Sequence, residues 1–177
     1  MRKSKIFVNK ADLEACRKTI RSNLEESLQQ LKKVLESNDC VAAFDACKYD
    51  KIVRDPLSGK AENLIEMINQ HQTYLVTLKA VAYLLERYPE KTFAAAFGNV
   101  AGFDIVSEDK TILAECFAAV SYRNNRKLDK DLHKLEREGG NAACYEFFYD
   151  RAFDDEKYAL YKEKYPKIHI VKFESLA

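Results

Sequence analysis

The stretch GFDIVSEDKTILAECFAAVSYRNNRKLDK, residues 102–130, decides the fold that we predict for this chain. It contains two short apolar runs separated by the turn-forming segment SEDK at 107–110, and then begins a strongly amphipathic helix. Apolar runs joined by a short polar turn are typical of two antiparallel strands. One acid lies in each run, Asp104 in the first and Glu115 in the second. A carboxylate in a strand interior loses water and needs a partner, so these two acids are the first candidates for a site.

The elements on both sides of this stretch extend the pattern. We predict helices at 11–37 and 61–88, strands at 91–97, 103–106 and 111–120, a helix at 124–138, a strand at 142–149, a helix at 154–165 and a strand at 168–173. The three consecutive strands should pair as an antiparallel meander. The whole order predicts an α/β (α+β) fold with a mixed central β-sheet flanked by helices. We place an N-terminal helical extension at 1–58 and the core domain at 59–177.

Composition restricts the function classes. The chain has 177 residues, of which 47% are apolar and 32% charged, as in soluble globular proteins. Its formal net charge is +1, so nucleic-acid binding would need a local basic surface. No segment resembles a signal peptide or a membrane span. The five cysteines form no CxxC pair, which argues against a zinc site and favours a reducing cytoplasm.

Asp104 and Glu115 together predict a metal site. Carboxylates on neighbouring strands repel each other unless a cation or a proton lies between them. Hard oxygen ligands select Mg²⁺, Mn²⁺ or Ca²⁺, and such an ion can polarise a phosphate and generate hydroxide for phosphodiester hydrolysis. The alternative is structural: Asp104 caps a turn, and Glu115 pairs with a nearby lysine or arginine.

Basic residues recur on the helix after Glu115. Steps of three and four residues place them in one stripe, which could follow a phosphate backbone. The candidate nucleic-acid-binding residues are Arg123, Asn124, Asn125, Arg126, Lys127, Lys130 and Lys134. Because acids such as Asp129 and Asp131 interrupt the stripe, a solvated face remains the alternative interpretation.

The element order and the Asp104/Glu115 pair resemble the PD-(D/E)xK nuclease superfamily, whose core is the restriction-endonuclease-like fold. The resemblance covers residues 59–174. It implies that Asp104 and Glu115 bind magnesium and that a glutamate of the first core helix, Glu66 or Glu62, supports the metal.

The sequence departs from the motif at one position. The superfamily carries a lysine two residues after the second acid, and this chain has Phe117 there. Some members supply the cation from the following helix. The resemblance therefore implies Lys127 as the catalytic cation, with Arg126 or Lys130 behind it.

The function that this resemblance implies is a Mg²⁺-dependent (or Mn²⁺-dependent) endodeoxyribonuclease, as part of a restriction-modification or defence system. Paired cuts in a duplex usually require two active sites, which would make the protein a homodimer. The alternative is a catalytically inactive nuclease-fold module that binds DNA or a protein partner. A third hypothesis is an interaction protein that assembles through the 11–37 helix.

Overall fold

The computed structural model describes residues 4–37, 39–98, 101–119, 126–150 and 155–176. The elements are β1 (Ser4–Phe7), α1 (Lys10–Leu35), α2 (Cys40–Tyr49), β2 (Val53–Arg54), β3 (Ala61–Glu62), α3 (Leu64–Arg87), β4 (Phe93–Ala96), β5 (Ile105–Ser107), β6 (Ile112–Ala119), α4 (Lys127–Glu138), β7 (Ala143–Asp150), α5 (Asp155–Lys164) and β8 (Ile168–Lys172). The chain forms two compact units. The first unit comprises Met1–Lys10 and Thr73–Ala177, and the second is Ala11–Gln72. The boundary lies inside α3, later in the chain than the predicted one at 58/59.

The first unit is built on a six-stranded mixed sheet with the order β1-β4-β5-β6-β7-β8. Strands β1, β4, β5 and β6 pair antiparallel, so the predicted meander is confirmed. Strands β6, β7 and β8 pair in parallel, with α4 and α5 as the intervening helices. The predicted fold class, a mixed central sheet flanked by helices, is therefore confirmed.

One face of this sheet is covered by α4. Leu128, Leu132 and Leu135 lie on one side of the helix, because steps of four and three residues share a helical face, and all three are buried. They pack on a buried apolar cluster of Leu113, Phe117, Cys144, Phe148, Tyr165, Ile168 and Ile170. A Cβ atom at Gly139 would collide with the Leu135 carbonyl group and the Cys144 sulfur. Only glycine therefore fits where α4 ends above β7.

The opposite face carries aromatic side chains from the part of α3 that belongs to the first unit. Tyr74 contacts Phe97 edge-on at a ring-centroid distance of 5.2 Å, and Tyr83 contacts Phe147 at 5.4 Å. Edge-on aromatic pairs add about 0.5–1.5 kcal/mol each beyond their buried area. Successive residues of a strand point to opposite faces, so Phe147 points away from Phe148, which packs under α4. The contact of Tyr83 with Phe147 therefore places this part of α3 on the face opposite α4.

The second unit contains α1, α2, the short β2–β3 pair and the start of α3. Asp39 caps α2 by accepting hydrogen bonds from the backbone N–H groups of Val41 and Ala42. The sequence patterns predict none of the three strands β1, β2 and β3. Gly59 directly follows the turn at 56–58 and has φ +68°, a conformation that glycine adopts without strain. Among the described residues, no helix is both long and apolar enough to cross a membrane.

Candidate functional site

Acidic side chains from three neighbouring strands meet beneath α4. Asp104 lies one residue before β5, and its Oδ2 accepts a hydrogen bond from the Cys116 backbone N–H at 2.8 Å, next to Glu115. Glu115 in β6 is paired in register with Glu146 in β7. Residues in register on parallel strands point to the same face, so these two carboxylates lie side by side. The structure thus brings Asp104 and Glu115 together and adds Glu146.

Helix α4 adds a fourth acid and two lysines. The Lys134 ammonium group contacts Glu115 Oε1 and donates to the Gly102 carbonyl oxygen at 2.5 Å. Lys127 pairs with Asp131 Oδ1 at 2.5 Å. The six groups of this cluster, which we call the acid–lysine cluster, are Asp104, Glu115, Lys127, Asp131, Lys134 and Glu146. Four carboxylates against two ammonium groups leave a formal charge of −2, which two protons or one divalent cation would balance.

Burial and like charges dominate the electrostatics of this cluster. The pKa of Glu115 is raised to about 8, first because burial removes water and second because Asp104 lies nearby; the Lys134 ammonium group offsets this only in part. Burial, followed by the charges of Asp131 and Glu115, raises the pKa of Glu146 well above its ordinary value. Burial also raises the pKa of Asp131, although Lys127 opposes this. The carboxyl groups of Glu115, Asp131 and Glu146 therefore hold protons more tightly than they would in water.

Glu146 is the least compensated member of the cluster. Its side chain is fully buried, and neither carboxylate oxygen has a hydrogen-bond partner among the described residues. An ionised carboxylate in that state is strongly disfavoured. Without a cation, Glu146 is therefore expected to be protonated.

This protonation makes stability depend on pH. An unfolded glutamate has a pKa near 4.3, below the folded values of Glu115 and Glu146, so the stabilising effect of their protonation is complete below about pH 4.3 and is lost as pH rises. We expect Glu146→Gln to gain free energy of unfolding relative to the wild type as the pH is raised above about 4.3, by up to about 1.4 kcal/mol per pH unit. Urea denaturation at each pH measures this difference. A difference that is constant with pH would contradict the expectation.

Two lysines of α4 have different acidic partners. Lys127, the implied catalytic cation, pairs with Asp131, whereas Lys134 is the lysine that contacts Glu115. Burial alone would lower the pKa of Lys127, but Asp131, Asp104 and Glu115 outweigh this and raise it. Both lysines thus belong to the cluster, and Lys134 is the one beside the predicted metal ligand.

Phe117, at the position of the missing motif lysine, lies in the apolar core. It is 3% exposed and stacks on Phe148 with ring centroids 5.5 Å apart. The cluster of apolar side chains beneath α4 therefore occupies the place where the superfamily lysine would be.

The remaining predicted residues lie elsewhere. Lys130 and Arg126 are exposed on α4 or just before it. Arg123, Asn124 and Asn125 lie outside the described residues. Glu66 is exposed near the start of α3, in the second unit, and its supporting role stays a prediction. Glu62 is buried there and accepts a hydrogen bond from Gln70 at 3.0 Å.

Two cluster members were missed by sequence reasoning, although both had a signal. Glu146 is the only charged residue in the aromatic run at 142–149, as Glu115 is in its own apolar run. Asp131 lies three residues after Leu128 and one before Leu132, on the buried side of α4. A lone acid among apolar neighbours is the pattern that identified Glu115, and it applies equally to Glu146, whereas the signal for Asp131 is its place on the leucine side of α4.

The donor set suits a hard cation held by few protein ligands. Among the described residues, no group of three or more histidine, cysteine, aspartate or glutamate side chains is arranged to hold a metal ion. Mg²⁺ commonly uses one or two carboxylates and keeps several waters or substrate oxygens. Asp104 and Glu115 would be the two carboxylates of such a site, and a divalent ion would balance the formal charge of −2 that the fully ionised cluster carries.

No protein-family model matches this chain, and neither a curated protein nor a solved structure matches it. The resemblance to the PD-(D/E)xK superfamily therefore rests on the order of the elements and on the acids themselves.

Proposed function

We propose that this protein is a magnesium-dependent endonuclease that hydrolyses DNA phosphodiester bonds. One observation carries the proposal: Asp104 and Glu115 converge from adjacent strands, and the Lys134 ammonium group contacts Glu115. Two acids beside one lysine are the groups that the PD-(D/E)xK motif brings together. Here the lysine comes from α4 instead of the third strand of the meander.

Each residue of the site would have its own role. Asp104 and Glu115 would hold Mg²⁺ or Mn²⁺, which supplies Lewis-acid activation of phosphate and water when bound. Lys134 would donate a hydrogen bond to the attacking water or to a phosphate oxygen, and its position against Glu115 limits its motion. Lys127 would keep Asp131 ionised and contribute positive charge at the edge of the site.

Substrate access is available along the lysine side of the cluster. The side chains of Lys127 and Lys134 are 43% and 27% exposed, whereas that of Glu115 is 3% exposed. Lys130 and Arg126 extend positive charge from this opening over the exposed surface. A phosphate backbone could approach along these side chains, with affinity that falls as salt increases.

Lys134→Met tests the assignment of the catalytic lysine. We expect cleavage of plasmid DNA in Mg²⁺ to fall by about 10²–10³-fold, the range for removal of one preorganised donor. Lys130→Met, on the same helix but exposed, is the matched control and should lower DNA affinity only a few-fold. A Lys134→Met protein that is folded and cleaves at the wild-type rate would contradict the role of Lys134.

The second candidate function is a nuclease-fold module that binds DNA or a protein without cutting. Two observations favour it: Phe117 replaces the motif lysine, and Glu115 and Asp131 each already have a lysine partner. Calorimetry with Mn²⁺ separates the two candidates. An absence of metal binding, together with salt-sensitive retention of DNA, would favour the binding module.

We also propose a cytoplasmic location. All five cysteines are free thiols, which agrees with a reducing compartment. A role in restriction or in defence against foreign DNA would follow from the nuclease activity and is part of the same proposal.

A further inference from the structure

Exposed apolar side chains concentrate in the second unit. Of the ten large hydrophobic residues that are exposed in the described part of the chain, seven lie in Ala11–Gln72. They are Leu28, Leu35, Val41, Phe44, Tyr49, Ile65 and Ile68. Single exposed apolar residues are common, but this unit is only about a third of the chain. Two of them, Leu28 and Leu35, belong to an ordered surface.

Four leucines of α1 form such a surface. Leu24, Leu28, Leu31 and Leu35 follow steps of four, three and four residues, which is the spacing of a coiled-coil seam. Leu28 and Leu35 are 52% and 58% exposed, and Leu24 and Leu31 are half-buried. The inward face of α1 has its own buried residues, Leu13, Cys16, Ile20 and Ser27. The leucine seam therefore runs beside the packed face and opens to solvent.

The leucine pattern of this seam is the same when it is read in either direction along the helix. Around a centre between Gln29 and Gln30, reversal exchanges Leu28 with Leu31 and Leu24 with Leu35. The charged residues beside the seam are Glu25 and Lys32, both exposed, and they occupy equivalent heptad positions. In an antiparallel pair of helices these positions face each other, so each acid would meet the lysine of the other copy.

We infer that α1 is a self-association surface, on which residues 24–35 of two copies pair antiparallel across a twofold axis between Gln29 and Gln30. The contact is isologous, because the same patch is used by both copies. Two symmetry-related Glu25–Lys32 pairs would fix the direction of the helices. Within one chain, Glu25 pairs with Arg21 at 3.1 Å, but this exposed pair is worth little and does not block the contact. The inference does not depend on the nuclease activity.

Sedimentation velocity of the full chain tests the seam. We expect a dimer at about 100 μM that dissociates on dilution. Leu28→Glu should give a monomer, because two buried acids would face leucines near the axis. Gln30→Glu, an exposed change on the far side of α1, is the control and should remain dimeric. A wild-type monomer at this concentration, or a folded Leu28→Glu dimer, would overturn the inference.

A charge exchange tests the direction. Glu25→Lys and Lys32→Glu each create two like-charge contacts in an antiparallel dimer. Each variant should therefore raise the dissociation constant of the dimer about tenfold. The double variant Glu25→Lys/Lys32→Glu restores both pairs and should return to within about threefold of the wild type. Circular dichroism of each variant checks that α1 stays helical. A double variant that dimerises no better than the single ones would exclude the antiparallel arrangement.

Discussion

Replacing either Asp104 or Glu115 with its amide is expected to reduce metal-dependent DNA cleavage by about 10³-fold or more, because each amide removes a charged oxygen ligand at the reacting phosphate. Asp104→Asn keeps an oxygen that can accept the Cys116 N–H, so the local structure should persist. Glu115→Gln leaves Lys134 partly exposed and able to reach water. Plasmid nicking in Mn²⁺, with circular dichroism of each variant, measures the effect.

The control is Glu108→Gln, an exposed acid in the turn between the same two strands. It should cleave DNA as the wild type does. Calorimetric titration with Mn²⁺ in two buffers of different ionisation enthalpy should also show proton release in the wild type, since metal binding requires ionised carboxylates. Cleavage that persists in both purified amide variants would refute the assignment of the metal site.

Restoring the motif lysine through Phe117→Lys is expected to destabilise the protein by about 3–5 kcal/mol, and not to increase cleavage. Phe117 is buried and stacked on Phe148, so the substitution removes packed aromatic area and places an ammonium group among leucines of α4. Urea denaturation gives the change in the free energy of unfolding.

Phe44→Lys provides the matched comparison, because Phe44 is 75% exposed and the same change there should have little effect on stability. If Phe117→Lys were as stable as the wild type and more active, the lysine position would be open to the site. The role that we give to Lys134 would then move to the strand.

The elements that carry strong local patterns could be predicted from the sequence. Leu128, Leu132 and Leu135 define the buried side of α4 by their spacing alone. The apolar runs around Asp104 and Glu115 likewise define two strands and a turn. The predicted convergence of these two acids follows from the short connection between the strands, which restricts how they can pair.

Contacts between distant elements could not be predicted in this way. The register that places Glu146 beside Glu115 depends on how α4 crosses between two parallel strands, and no local pattern encodes it. The sequence does not distinguish the partners of Lys127 from those of Lys134, since both lysines lie on the basic side of α4. Asp131 lies one turn after Lys127 and takes it as a partner, which leaves Lys134 to reach the sheet. Strand β1 is only four residues long and pairs with β4 far along the chain.

The pairing of β1 with β4 has a consequence for shortened versions of this protein. Ser4–Phe7 forms the outer edge of the sheet, and Phe7 is buried against Phe97. A fragment that lacks β1 and α1 would expose the backbone N–H and C=O groups at the edge of β4. It would also expose the aromatic side chain of Phe97, which Phe7 covers. Exposed strand edges recruit other chains, so such a fragment should aggregate. A version that retains residues 1–10 through a flexible linker should stay monodisperse.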